Sequence, residues 1–111
     1  MHNLFITILI AVFLCKSSVE SLSGGWKSIP NLSDPTVVDI GRFAVDEHNK
    51  EFYAALTFGQ VVKGESQVVE GVNYNLTITA VDGSAENSYV ALVWDKPWDQ
   101  SRQLVFFTGP I

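Results

Sequence analysis

Cysteine is all but absent from this 111-residue chain: there is one, Cys15, just after an uncharged apolar run from Leu4 to Leu14. If that segment is a leader that is removed, no disulfide can form, even where the compartment would permit one. Stability must then come from a single packed core, which a domain above ~70–80 residues can supply. Histidine is nearly as scarce, with only His2 and His48. Beyond the leader a Cys–His nucleophile pair is therefore excluded. A zinc site of several His or Cys ligands cannot be assembled within one chain, and a Ser-His-Asp triad would have to use His48. That residue falls on the apolar face of a predicted helix, where a packed, hydrogen-bonded role is expected. Carboxylates are plentiful, but no pair of them is marked as catalytic.

Basic runs are missing too. The formal net charge is −5, and Lys16 and Glu20 cancel within the leader. An acidic chain without a basic stretch is a poor partner for nucleic acid, where phosphate neutralisation dominates affinity. It also lacks a polybasic patch for anionic lipid. Leu4 to Leu14 is too short to span a bilayer. Its N-terminal position and the small, polar residues after it read as a secretory signal peptide over residues 1–23, cut after Ser21 or Ser23. A membrane anchor is the alternative. Residues 24–111 then form one domain, and a secreted product is expected.

What is present follows one plan. Residues Gly24 to Leu32 show no period and read as an extended arm, with a short strand near Trp26 to Ile29. Asp34-Pro35 opens a helix: Asp34 can cap free backbone N–H groups, and proline suits the first helical position. The helix is predicted to run to about Tyr53, with Val37, Ile40, Gly41, Ala44, Val45, His48 and Phe52 on one face. Gly41 and Ala44 on that face would let a sheet approach closely. The period then changes to two. Val72, Tyr74, Leu76, Ile78 and Ala80 alternate with polar residues and mark a strand with one dry face. Leu56–Lys63, Tyr89–Trp94 and Gln103–Phe107 read as further strands, and Asp82-Gly83-Ser84 as a turn. One helix followed by strands joined by short turns predicts an α+β fold, with the helix packed on a 4–5-stranded antiparallel sheet.

Two loops carry apolar residues where turns are usually polar. Gln67-Val68-Val69-Glu70-Gly71 lies between predicted strands. It can be an ordinary turn with Val68 and Val69 at strand ends, or an exposed hairpin tip in which Gly71 allows a positive φ or a close backbone approach. Pro97-Trp98 lies in a second loop. Trp98 can fold back onto the core, as Trp94 is expected to do from its strand, or it can stay wet, which is unusual for so large an apolar group. Exposed apolar tips make sense if an outside partner covers them. Asn31-Leu32-Ser33 and Asn75-Leu76-Thr77 fit the N-glycosylation pattern.

Gly24-Gly25, then Gln67-Val68-Val69-Glu70-Gly71, then Pro97-Trp98 together resemble the cystatins, the reversible protein inhibitors of papain-like cysteine proteases. Ile40-Gly41-Arg42-Phe43-Ala44-Val45-Asp46-Glu47-His48-Asn49 resembles the helix signature of the plant branch, with Ile40 and Gly41 in place of the usual Leu and Ala. The resemblance extends from about Gly24 to about Phe107. It implies a cystatin-like fold, no enzyme activity, no cofactor and no metal. Its implied partners are papain-like cysteine proteases, endogenous or from pests or pathogens, in a role that includes plant defence. By the same resemblance Gly24, Gly25, Gln67, Val68, Val69, Glu70, Gly71, Pro97 and Trp98 would contact the protease, as an apolar wedge that plugs the active-site cleft. A monomer is expected, with domain-swapped dimers open to this fold. The rival readings are a non-inhibitory cystatin-fold binding or storage protein and, less compatible with the residues present, a small hydrolase.

Overall fold

The computed structural model describes residues 25–111; the expected signal peptide over residues 1–23 and Gly24 lie outside them. The elements are β1 (Lys27–Ser28), α1 (Pro35–Phe52), β2 (Thr57–Val68), β3 (Val72–Asp82), β4 (Ala85–Lys96), a single 3₁₀ turn (Pro97–Asp99) and β5 (Ser101–Thr108). The strands form one antiparallel sheet in the order β1-β2-β3-β4-β5. One helix packs on this five-stranded sheet, as the sequence predicts.

Helix α1 starts where the chain supplies a cap. The Asp34 carboxylate accepts the Thr36 N–H at 2.9 Å, with Pro35 at the first helical position. Val37, Ile40, Ala44 and Val45 are buried against Val61 of β2, Leu76, Ile78 and Ala80 of β3, and Tyr89, Ala91 and Val93 of β4. Glycine at position 41 is what lets the sheet come in. A Cβ there would stand 2.9 Å from Phe58 Cε1 and 3.0 Å from Val61 Cγ2, so the residue that weakens the helix strengthens the interface. Phe43 lies off the main stripe and packs partly buried against the core.

The helix ends at Tyr53, which takes a left-handed φ of 52° and donates its N–H to the Asn49 carbonyl. Phe52, predicted on the buried face, is 67% exposed. Its ring flanks His48, at 5.0 Å between centroids. His48 is packed as expected, stacked on Phe107 at 4.1 Å, but its buried Nδ1 has no hydrogen-bond partner. Aromatic contacts with Phe52 and Phe107 hold this ring.

Asn49 explains the end of the helix motif. Its side-chain amide donates to the Leu56 carbonyl at 2.9 Å and accepts the Leu56 N–H at 3.0 Å. One side chain thus satisfies both backbone groups of the residue that leads into β2. Asn49→Ala should lower stability by about 2 kcal/mol, because two partly buried backbone groups lose their partners. Denaturant unfolding would read this as a lower midpoint at unchanged slope.

Strand β2 is longer than the predicted Leu56–Lys63. Two register shifts, at Phe58/Gln60 and Val61/Lys63, fall within the predicted part, and the strand continues to Val68. The part beyond Lys63, Gly64-Glu65-Ser66-Gln67-Val68, pairs with β3 in unbroken register but carries no alternating apolar side chains, which is why the period does not show it.

Candidate functional site

Antiparallel order places three chain segments at one end of the sheet. Lys27 pairs with Ser66, so the arm residues Gly25 and Trp26 run on toward the end of β2. Val68 pairs with Val72, which closes the first hairpin, and Lys96 pairs with Ser101, which closes the second. Val72 also pairs with Asp95, which sets the two hairpins side by side. Gly25, the tip of the first hairpin and Pro97-Trp98 thus share one edge. Gly24 lies outside the described residues.

The first hairpin is tighter than a five-residue tip. Gln67 and Val68 belong to β2, where they pair with Asn73 and Val72, and only Val69-Glu70-Gly71 forms the turn. Inside it the Val69 N–H donates to the Gly71 carbonyl at 3.0 Å. Glu70 takes φ 45° and Gly71 φ 111°. The latter is a backbone conformation that side chains rarely adopt. Gly71 is buried within the chain: a Cβ on it would stand 2.5 Å from the Asp95 carbonyl oxygen and 3.2 Å from Trp94 Nε1. The glycine's first constraint is therefore internal. Val68, by contrast, is 66% exposed.

The second hairpin turns through Pro97–Asp99, and Gln100 closes it at φ 49° with its N–H donated to the Pro97 carbonyl at 3.1 Å. Trp98 projects from this turn and is 68% exposed. It does not fold back onto the core. At the base of the hairpin Asp95, buried at 7% exposure, accepts from Arg102 Nε at 3.0 Å. This charge-assisted bond ties the two strands of the hairpin together. The neighbouring Tyr74 hydroxyl is pushed above its ordinary pKa, chiefly by burial and then by the negative charge of Asp95. These groups line an open cleft of about 680 Å³ with Thr36, Phe43, Pro97 and Gln100, between the start of α1 and the second hairpin.

Trp94 is where sequence reasoning went astray. Tyr89, Ala91, Val93 and Asp95 of β4 face the helix, so Trp94 stands on the opposite face and is not a core residue. Its indole N–H donates to the Glu70 carbonyl at 3.0 Å, and the Lys96 ammonium lies 4.4 Å from its ring centroid. Counting in twos from Tyr89 would have revealed that parity.

The two sequons differ in setting. Asn31 is exposed in the turn before α1, where its side chain accepts the Ser33 N–H at 3.0 Å. Asn75 sits in central strand β3, paired with Glu65 on one side and Leu92 on the other. Among the described residues no group of three or more His, Cys, Asp or Glu is placed to hold a metal ion.

Residues 29–109 match the family model described as "Aspartic acid proteinase inhibitor". Cysteine proteinase inhibitor 5 of Arabidopsis thaliana is 44% identical over 105 residues, covering 94% of this chain and 86% of that protein. Cysteine proteinase inhibitor 1 of Actinidia chinensis is 48% identical over 85 residues, 77% of this chain and 73% of that protein. Among solved structures, the salivary cystatin of the soft tick Ornithodoros moubata superposes with a TM-score of 0.66 at 21% identity, covering 77% of this chain and 95% of that one. Dimeric human cystatin F gives 0.65 at 17% identity, covering 78% and 86%. At these identities the structural likeness speaks for the fold alone. The relatives are named as protease inhibitors, not enzymes.

Proposed function

This chain belongs to the plant cystatin family, and from that premise we propose that it is a reversible, competitive inhibitor of papain-like cysteine proteases. One observation carries the reading. The arm at Gly25, the Val69–Gly71 tip and Pro97-Trp98 share one edge of a rigid sheet, and Val68 and Trp98 expose apolar side chains there that nothing among the described residues covers. An edge of this kind fits a cleft. It excludes substrate by occupying the space, without offering a bond for cleavage. Preorganisation on paired strands keeps the ordering cost of binding low, and tryptophan is enriched among interface residues that dominate affinity.

Titration of active-site-counted papain tests the proposal. Loss of activity in proportion to added protein, recovered on dilution, is the expected result. No loss would leave a binding or storage role on the same fold. The description of the matching family model favours a second reading, inhibition of an aspartic protease, so pepsin belongs in the same experiment. Loss of pepsin activity alone would replace the proposed target class.

The proposal extends to location. An apolar leader before Gly24 directs the protein to the secretory pathway, where, as a monomer, it meets endogenous proteases or those of pests or pathogens. Amino-terminal sequencing of exported protein should begin between Leu22 and Gly24; a product retaining Met1 on a membrane would refute it.

A further inference from the structure

We infer that Trp94 is a positioning residue that clamps the tip of the first hairpin onto the end of β4, so that the two hairpins meet a protease as one preformed edge. The inference rests on the inhibitory reading for its consequence, but its geometry belongs to the free protein.

Three observations converge on the clamp. The indole N–H of Trp94 donates to the carbonyl of Glu70 at 3.0 Å, and Glu70 is the residue at the tip held at φ 45°. A non-glycine residue in that region persists when its surroundings hold it there. Gly71 has no side chain where the Trp94 nitrogen and the Asp95 carbonyl crowd in, 3.2 and 2.5 Å from the position of a Cβ. The Lys96 ammonium, 4.4 Å from the indole centroid, holds the ring from the strand that feeds the second hairpin. Trp94 itself pairs across the sheet with Asn73 of β3 and Gln103 of β5. Its backbone is thus fixed in the middle of the sheet while its side chain reaches a tip 24 residues earlier in sequence.

Without the clamp the three-residue tip would sample other conformations. Only the fraction in the docking geometry would bind, and the apparent affinity would fall by that fraction. A tryptophan that merely packed would affect melting and leave the tip's motion unchanged.

Trp94→Phe separates these roles, because it keeps a ring for Lys96 and removes the N–H donor. In the free protein, the backbone order parameters of Glu70 and Gly71 should fall from about 0.85 toward 0.6 or below. Papain association should slow by about 3–10-fold, the range that corresponds to one hydrogen bond, with little change in melting temperature. A folded Trp94→Phe with an unchanged tip and an unchanged association rate overturns the clamp. Should that variant fail to fold, the wild-type protein still decides. The Trp94 indole proton should exchange with water well below the rate of Trp98's in the same spectrum, and equal rates would overturn the inference. If wild-type protein does not inhibit papain, the proposed target fails while the motional measurements still judge the clamp.

Discussion

Gly71→Ala is expected to weaken inhibition of the target protease about 100-fold while the sheet stays folded. Two costs add. A Cβ at φ 111° is strained in any environment, by about 1–3 kcal/mol. Here it would also stand 2.5 Å from the Asp95 carbonyl oxygen, a backbone atom that cannot swing aside. The tip must rearrange to relieve both, and a tip out of place costs about 3 kcal/mol of binding, which is about 100-fold in Kd. The Val68–Val72 pair and the rest of β2 and β3 lie outside the conflict, so circular dichroism and cooperative melting should persist. An inhibition constant and a melting curve on the same sample read the result. Inhibition at wild-type strength in folded Gly71→Ala would remove the first hairpin from the interface.

Trp98→Ala should act on binding with almost no effect on the fold. The side chain is 68% exposed on a 3₁₀ turn and is absent from the core, so its removal leaves no cavity. As an anchor it should contribute about 2 kcal/mol to binding, or roughly 30-fold in Kd. The loss should appear mainly as faster dissociation, because a neutral side chain does little to steer encounter. Trp94→Phe makes the informative contrast: slower association from a loosened tip, against faster release from a missing anchor. If Trp98→Ala melts early and still releases papain slowly, the residue is structural and the second hairpin is misassigned.

Much of this architecture is legible in the sequence, and the misses have physical causes. The Asp34-Pro35 start, the buried stripe from Val37 to Val45 and the period-two run through Leu76 and Ile78 follow from local rules that the packing agrees with. The late half of β2 shows no period because Gly64-Glu65-Ser66-Gln67 has no apolar side chain to alternate, although its pairing with β3 is regular. Trp94 was misread because residue type suggested the core whereas strand parity put it outside. Gly71 was legible as a special glycine, but nothing in Gln-Val-Val-Glu-Gly tells that the crowding atom belongs to Asp95 of the same chain, 24 residues later in sequence. That depends on which strand lies next to the hairpin. Trp98 and Val68 read correctly as wet apolar groups because a turn has no interior to hide them.

The order of the strands also bears on how the chain folds. Strands β2 to β5 are a meander in which each neighbour in space is the neighbour in sequence, so their pairing closes only short loops. Among the described residues the one distant strand pairing is β1 with β2, Lys27 to Ser66 and Ser28 to Glu65, and it must enclose the whole of α1. Long loops cost more closure entropy and return it last. The two hairpins should therefore be assembled before the arm is laid alongside them. Core truncations in β3 and β4 should slow folding, whereas Ile29→Ala should mainly speed unfolding. Strong slowing by Ile29→Ala would place the arm in the nucleus. An arm that joins last is also the first to detach, so fluctuations that peel it away need not disturb the hairpins beside it.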